Sequence, residues 1–154
     1  MDSKLQKLLD GYAQDHQHPV NLKIHKVGVP LVLFHFVAMF DWVHIYPSFM
    51  IVTHTHDGFV FSLGHVIAFL IFGWYLSLSV KLACIVGVFS ILCFMIAPYT
   101  PFAWVIVITI VAWVLQLIGH AVFEKRSPSF FTNLYQLLVG PLFVAAALIG
   151  DIKK

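Results

Sequence analysis

FVFSLGHVIAFLIFGWYLSLSV, residues 59–80, contains no Asp, Glu, Lys or Arg and a single histidine, His65. At 1.5 Å per residue, a helix of this length reaches across a hydrocarbon layer of about 30 Å. The same pattern recurs on both sides, with apolar segments at 27–45, 82–97, 102–119 and 134–150. Of the 154 residues, 60% are hydrophobic and 10% charged, where a soluble domain carries about 25% charged residues. Mean hydropathy is +0.92. A water-facing surface is hard to build from such a chain, so the fold class predicted is an all-α, polytopic membrane helical bundle. It reads as one integral membrane domain over residues 1–154 whose polar N-terminal segment 1–26 contributes to a metal site. That N-terminus, MDSKLQKLLDGYAQDHQHPVN, lacks an immediate apolar stretch and a small-residue cleavage site and does not read as a removable signal peptide.

Turn residues and charges organise the segments. Pro98-Tyr99-Thr100-Pro101 gives up two backbone donors and marks a hairpin between the third and fourth segments. Only Lys81 separates the second from the third, which requires a tight connection. Lys4, Lys7, Lys23 and Lys26 precede the first segment, Lys81 follows the second, and Lys125 and Arg126 follow the fourth. The 46–58 connection and the 98–101 turn carry no Lys or Arg. Basic residues favour cytoplasmic flanks, so four crossings with the N-terminus inside are predicted. A fifth full crossing would put Lys153 and Lys154 outside. Gly140-Pro141 interrupts the last segment, since an interior proline removes a helical hydrogen bond and crowds the preceding turn. A broken or re-entrant fifth element returning to the cytoplasmic side is predicted, with a kinked full crossing as the alternative.

This topology brings two polar clusters to one membrane face. Gln116, His120 and Glu124 fall at i, i+4 and i+8, and Asn21 and His25 at i and i+4, so each set forms a stripe on its helix; His16 lies just upstream. Imidazoles with a nearby carboxylate suit Fe(II), Mn(II) or Zn(II), and an amide can orient a ligating ring through its other nitrogen. The pattern is not the HExxH of a zinc hydrolase, because AVFE follows His120. Nor does it show the dense histidine boxes of a membrane di-iron hydroxylase. The bland readings stand beside this one: His120 as a polar helix terminus satisfied by Glu124, His25 as an interfacial cap, Glu124 as a solvent partner of Lys125 or Arg126, and Asn21 as a turn or cap residue.

The remaining candidates carry less. His54 and His56 share a face only in extended chain, where Asp57-Gly58 marks a turn, and read as a solvated loop or an accessory metal site. His65, deep in apolar sequence, needs a partner or neutrality. His35 and Asp41 are six apart and reach each other only indirectly, while His18 and His44 read as interfacial. Cys84 and Cys93 lack a CxxC pattern and read as core thiols. The basic residues are dispersed around membrane ends and do not point to nucleic acid; the abundant aromatics fit lipid packing and interface anchoring.

Two blocks carry a family likeness. HQHPVNLKIHKVGVPLVLF, residues 16–34, holds His16, Asn21, His25, Gly28 and Pro30. WVLQLIGHAVFEKRSPSF, residues 113–130, with NLYQLLVGPLF, residues 133–143, holds Gln116, Gly119, His120, Glu124, Pro128 and Gly140-Pro141. In these the chain resembles the membrane 2-hydroxy fatty acid dioxygenases of fungal alpha-oxidation and their bacterial relatives. The resemblance implies an Fe(II)-dependent oxygenase that uses O2 to shorten a long-chain 2-hydroxy fatty acid by one carbon. It further implies His16, His25 and His120 as iron ligands and catalytic residues, Glu124 beside or in the metal shell, and Asn21 and Gln116 as supporting groups. The sequence departs from the family where PLFVAAALIG, residues 141–150, runs on through alanines in place of an acidic residue. Lys23, Lys26, Lys125 or Arg126 would attract the carboxylate, and Phe34, Trp113, Phe123 and Phe130 the alkyl chain. The membrane would be the endoplasmic reticulum of a eukaryote or the inner membrane of a bacterium, with the site near the cytoplasmic face; oligomeric state is not encoded legibly. The contrasting reading is a non-enzymatic membrane interaction protein whose polar residues fix helix ends. A transporter or a haem protein has less support, for want of an inverted repeat or a CxxCH motif.

Overall fold

The computed structural model describes residues 3–45, 61–128 and 133–152. Its elements are α1 (Ser3–Gln14), α2 (Pro19–Asp41), α3 (Leu63–Leu78), α4 (Val80–Ile96), a 3-10 turn (Ala97–Tyr99), α5 (Phe102–Ile118), a π-helical stretch (Gly119–Glu124) that continues α5, and α6 (Tyr135–Leu148). The fold is all-α. Among the described residues, three stretches are long and apolar enough to cross a membrane: Pro19–Asp41, Val80–Tyr99 and Phe102–Glu124.

Local chemistry sets the helix ends. Pro19 opens α2 with its φ already helical, and the His18 side chain accepts the Val20 N–H. Ser62 and His65 cap the start of α3 reciprocally. Ser79 alone joins α3 to α4: its N–H closes α3 on the Tyr75 carbonyl, and its Oγ accepts the Leu82 N–H to open α4. The tight connection predicted at Lys81 therefore lies two residues earlier. These serine caps trim the apolar run 59–80 to a described helix of 16 residues, about 24 Å long. The 98–101 hairpin is present as the 3-10 turn, with the Thr100 Oγ1 donating to the Ile96 carbonyl.

The helices α2 to α5 run alternately up and down. A Cβ on Gly64 would touch Phe94, and one on Gly87 would meet Phe72, which makes α3 and α4 antiparallel. Likewise Gly119 abuts Asn21 while Trp42 packs on Phe102, so α2 and α5 are antiparallel. The start of α2 and the end of α5 therefore share one end of the bundle. A β-bridge between His44 and Ser62 ties the end of α2 to the start of α3 at the other.

Two elements differ from expectation. The polar N-terminus folds as α1, whose Leu5, Leu9 and Tyr12 are buried with Val139, Leu142 and Phe143 of α6 and Leu82 of α4. Leu5, Leu8, Leu9 and Tyr12 follow helical spacing, a signal masked by the lysines around them. The predicted break at Gly140-Pro141 does not occur: α6 continues through Pro141. The Tyr75 hydroxyl donates to the Leu138 carbonyl in the turn before the proline, and Gly140 leaves room for the Tyr12 ring, whose hydroxyl would lie 3.2 Å from a Cβ there. The outer faces of α4 and α5, including Val88, Ile91, Met95, Trp104 and Ile110, are exposed and apolar, as a lipid-facing surface requires.

Candidate metal centre

His16 follows α1, His25 lies in the second turn of α2, and His120 lies in the π-helical stretch after α5. All three are buried. One nitrogen from each lies within 4.8 Å of the other two. The rings stand nearly perpendicular to one another, at 76° for His16–His25, 73° for His16–His120 and 87° for His25–His120, with centroids 4.4, 4.7 and 5.1 Å apart.

Hydrogen bonding fixes two tautomers. The His16 Nδ1 donates to the Tyr12 carbonyl at 2.7 Å, and the His25 Nδ1 donates to the Asn21 carbonyl at 3.0 Å. A carbonyl only accepts, so each Nδ1 carries the proton and each Nε2 presents a lone pair. Those Nε2 atoms face each other at 3.1 Å. Two lone pairs held at that distance repel unless a proton or a cation lies between them. Two ligands at right angles on a metal with bonds of about 2.0–2.2 Å stand about 3.0 Å apart, so the pair fits adjacent coordination positions. The His120 Nδ1 is also buried and without a hydrogen-bond partner. The residues present thus fit a divalent metal bound through neutral imidazoles. Burial, reinforced by the nearby His120, pulls His16 down to about 4 despite the bond to the Tyr12 carbonyl, so His16 is neutral and ready to ligate at ordinary pH.

Glu124 has another task than the one expected of it. It is not among the converging ligand atoms. Its Oε1 accepts the His18 backbone N–H at 2.8 Å and the Asn21 Nδ2 at 3.0 Å, which clamps the start of α2 to the end of α5. Asn21 is neither a turn nor a cap residue. It is fully buried inside α2, and its own carbonyl orients His25. Gly28 and Gly119 allow this closeness: a Cβ on Gly28 would come within 2.9 Å of the Gln116 Nε2, and one on Gly119 would run into the Asn21 Oδ1. A second tie joins Arg126 to Asp15 at 3.2 Å, so Arg126 is engaged next to His16.

Tyr12 is the site residue that the sequence did not disclose. Its ring stacks on His16 at 3.9 Å and 3°, and burial pushes its phenol above the usual range, so it stays protonated. The other histidines lie elsewhere. His18 caps α2, and His35 packs on Phe36 and Trp113. His65 sits at the far end of the bundle, bonded to the Ser62 Oγ at 2.7 Å, which in turn donates to Asp41 at 2.8 Å. His54, His56 and Phe130 lie outside the described residues. Of the proposed chain contacts, Trp113 lines the cavity described below. Phe34 belongs to a separate core with Val37, Cys93 and Val105, and Phe123 packs on His18.

A cavity of about 740 Å³ opens from His16, His25, His120 and Gln116 and continues along α2, α3 and α4 between apolar side chains. Three buried histidines placed so that they could hold a metal at the head of an apolar cavity, in a bundle with membrane-length helices, fit a metal-dependent membrane enzyme. Over residues 3–152 the chain matches the family model described as 2-hydroxy-palmitic acid dioxygenase Mpo1-like, and it belongs to that family. It is 30% identical over 145 residues to the 2-hydroxy-palmitic acid dioxygenase MPO1 of Saccharomyces cerevisiae, which covers 91% of this chain and 76% of that protein. No solved structure matches. The chain is therefore an enzyme, and the interaction-protein reading falls away.

Proposed function

We propose that this enzyme is an Fe(II)-dependent dioxygenase that shortens long-chain 2-hydroxy fatty acids by one carbon. The observation that carries the reading is the pair of His16 and His25 Nε2 lone pairs facing at 3.1 Å beside His120, at the head of a long apolar cavity. His16, His25 and His120 would hold the iron, which when bound supplies Lewis acidity toward a carboxylate and hydroxyl and a redox partner for O2. A 2-hydroxy carboxylate would be drawn to a metal so held, and the cavity would take its alkyl chain out of water. Asn21, through its carbonyl, and Glu124, through Asn21 and His18, are positioning residues; Gln116 lines the head of the cavity. Protonated Tyr12 keeps the His16 ring in plane. The overall change, R–CHOH–COOH + O2 giving R–COOH + CO2 + H2O, takes every electron that reduces O2 from the substrate, so no cosubstrate is required.

The test is a mass balance on anaerobically iron-loaded protein given 2-hydroxy and unsubstituted long-chain acids. Loss of the 2-hydroxy acid with formation of the acid one carbon shorter, only with Fe(II) and O2 present, is the expected result. Metal-dependent consumption of another lipid with both acids intact would overturn the substrate assignment.

We further infer one membrane domain with four crossings, α2 to α5, the N-terminus and metal centre on the cytoplasmic side, and α6 not crossing. At 16 and 14 residues, α3 and α6 are both shorter than the roughly 30 Å hydrocarbon layer requires; α3 is counted as a crossing because it links the far end of α2 to the start of α4, a link that α6 does not make. Lys81, at the start of α4, bonds Asp151, beyond α6, at 2.8 Å, which favours a C-terminus on the side of the α3–α4 turn. Single cysteines at positions 4 and 153, in a background lacking Cys84 and Cys93, should label from the same face. Labelling from opposite faces refutes this topology.

A further inference from the structure

The cavity has a long axis that runs from the metal centre to the other end of the bundle. Along α2 it is lined by His25, Val29, Val32, Phe36 and Phe40, one helical stripe whose ends are about 22 Å apart. That exceeds the roughly 15 Å of a single leaflet's acyl chains, half of a hydrocarbon layer of about 30 Å. At the far end, next to Phe40, lie Gly64, His65 and Phe94. The His65 ring stacks on Phe94 with centroids 4.3 Å apart and planes at 24°. Ser62, fully buried and bonded to Asp41, holds the His65 Nδ1. Bonds to the His65 Nδ1 thus hold the stack in place at the cavity wall. One turn nearer the metal centre on α3, Ala68 lines the wall with a side chain of a single methyl.

We propose that the His65–Phe94 stack is the stop of an acyl-chain ruler, and that Ala68 and Phe94 set the longest chain the enzyme accepts. The inference rests on the fatty-acid reading of the metal centre. With the carboxylate held at His16, His25 and His120, a chain that follows the α2 stripe brings its methyl end to the stacked rings. A phenyl group at position 68 would close the cavity about 4.5 Å short of the stop, which removes room for on the order of four carbons. Removing the Phe94 ring would lengthen the cavity instead. The competing outcome is a sideways exit, because Phe69, Val88 and Ile91 line the same cavity and are also exposed on the lipid-facing side. A chain leaving there would meet no stop.

The test compares Ala68→Phe, Phe94→Ala and the unaltered enzyme on a ladder of saturated 2-hydroxy acids. Two readouts are needed: iron- and O2-dependent consumption, and the acids retained by metal-free protein in detergent, identified by mass spectrometry. In both, Ala68→Phe should lose the longest acids by about 200-fold, the value of four buried methylenes, while the shortest stay within a few-fold. Phe94→Ala should move the cutoff to longer acids, and it decides the matter if Ala68→Phe does not fold. Equal losses at every length in Ala68→Phe, or an unmoved cutoff in Phe94→Ala, overturn the ruler. A shifted retention profile without any consumption would leave the ruler standing and defeat the dioxygenase reading. No retained acid in the unaltered protein would defeat the ruler.

Discussion

Replacing His25 or His120 with Ala is expected to abolish iron retention and to lower turnover of a 2-hydroxy acid by at least about 100-fold, while helical content survives. Altering groups that merely support a metal ligand already costs 10–100-fold in affinity or activity, and here a ligand itself is lost from a set of three. The structure also separates this outcome from simple misfolding. The His16 and His25 Nε2 atoms face each other at 3.1 Å as two acceptors, an arrangement that gives the metal-free protein nothing. Metal-free His25→Ala should therefore lose packing and the bond to the Asn21 carbonyl, whereas the iron-loaded enzyme should lose its metal-linked stabilisation as well. Iron content per chain, measured after gel filtration, is the direct check. Iron retained at the unaltered stoichiometry in both variants would remove these histidines from the metal centre.

Gly119→Ala should be the most damaging single methyl in the chain. In an ordinary helix interior, the change from glycine gains about 1 kcal/mol. At 119 the new Cβ would run into the Asn21 Oδ1 and stand 3.4 Å from the His25 ring. Relief requires α2 and α5 to move apart, and overpacking of this kind costs typically 1–3 kcal/mol. The motion also separates His25 on one helix from His120 beyond the other. A displacement of about 1 Å at a reacting site costs on the order of 100-fold in rate. Gly73→Ala is the matched control, because nothing lies within 4 Å of its Cβ in α3, and it should be neutral or stabilising. Thermal midpoints and turnover in detergent compare the two. Equal behaviour would mean that the α2–α5 contact is looser than its geometry indicates.

Both expectations turn on how the polar residues are assembled, and this divides what the chain states openly from what it does not. Helical stripes are local, so the pairing of Asn21 with His25 and of Gln116 with His120 could be read from spacing. The Pro98–Pro101 turn was equally legible, since prolines act on their own backbone. Glu124 shows where such reading stops. Its spacing from His120 put it on the metal stripe, yet the π-helical stretch changes the register and its carboxylate instead clamps His18 and Asn21. Tyr12 was hidden for another reason: its spacing with Leu5 and Leu9 marks only a buried helix face, and what that face meets is set when α1 docks on α6.

By itself the sequence determined an all-helical body, too apolar to fold in water, with its imidazoles near segment ends and a turn at 98–101. These follow from composition and from interactions within a few residues. The tertiary structure alone decided that His16, His25 and His120 meet, that α6 runs unbroken through Pro141, that caps at Ser62 and Ser79 shorten α3, and that a long cavity reaches from the histidines to His65 and Phe94. Each of these depends on contacts between residues far apart in the chain, such as Gly119 against Asn21 or Tyr75 on the Leu138 carbonyl. A period of 3.6 residues tells which side chains share a face of one helix; it does not tell which other face they will meet.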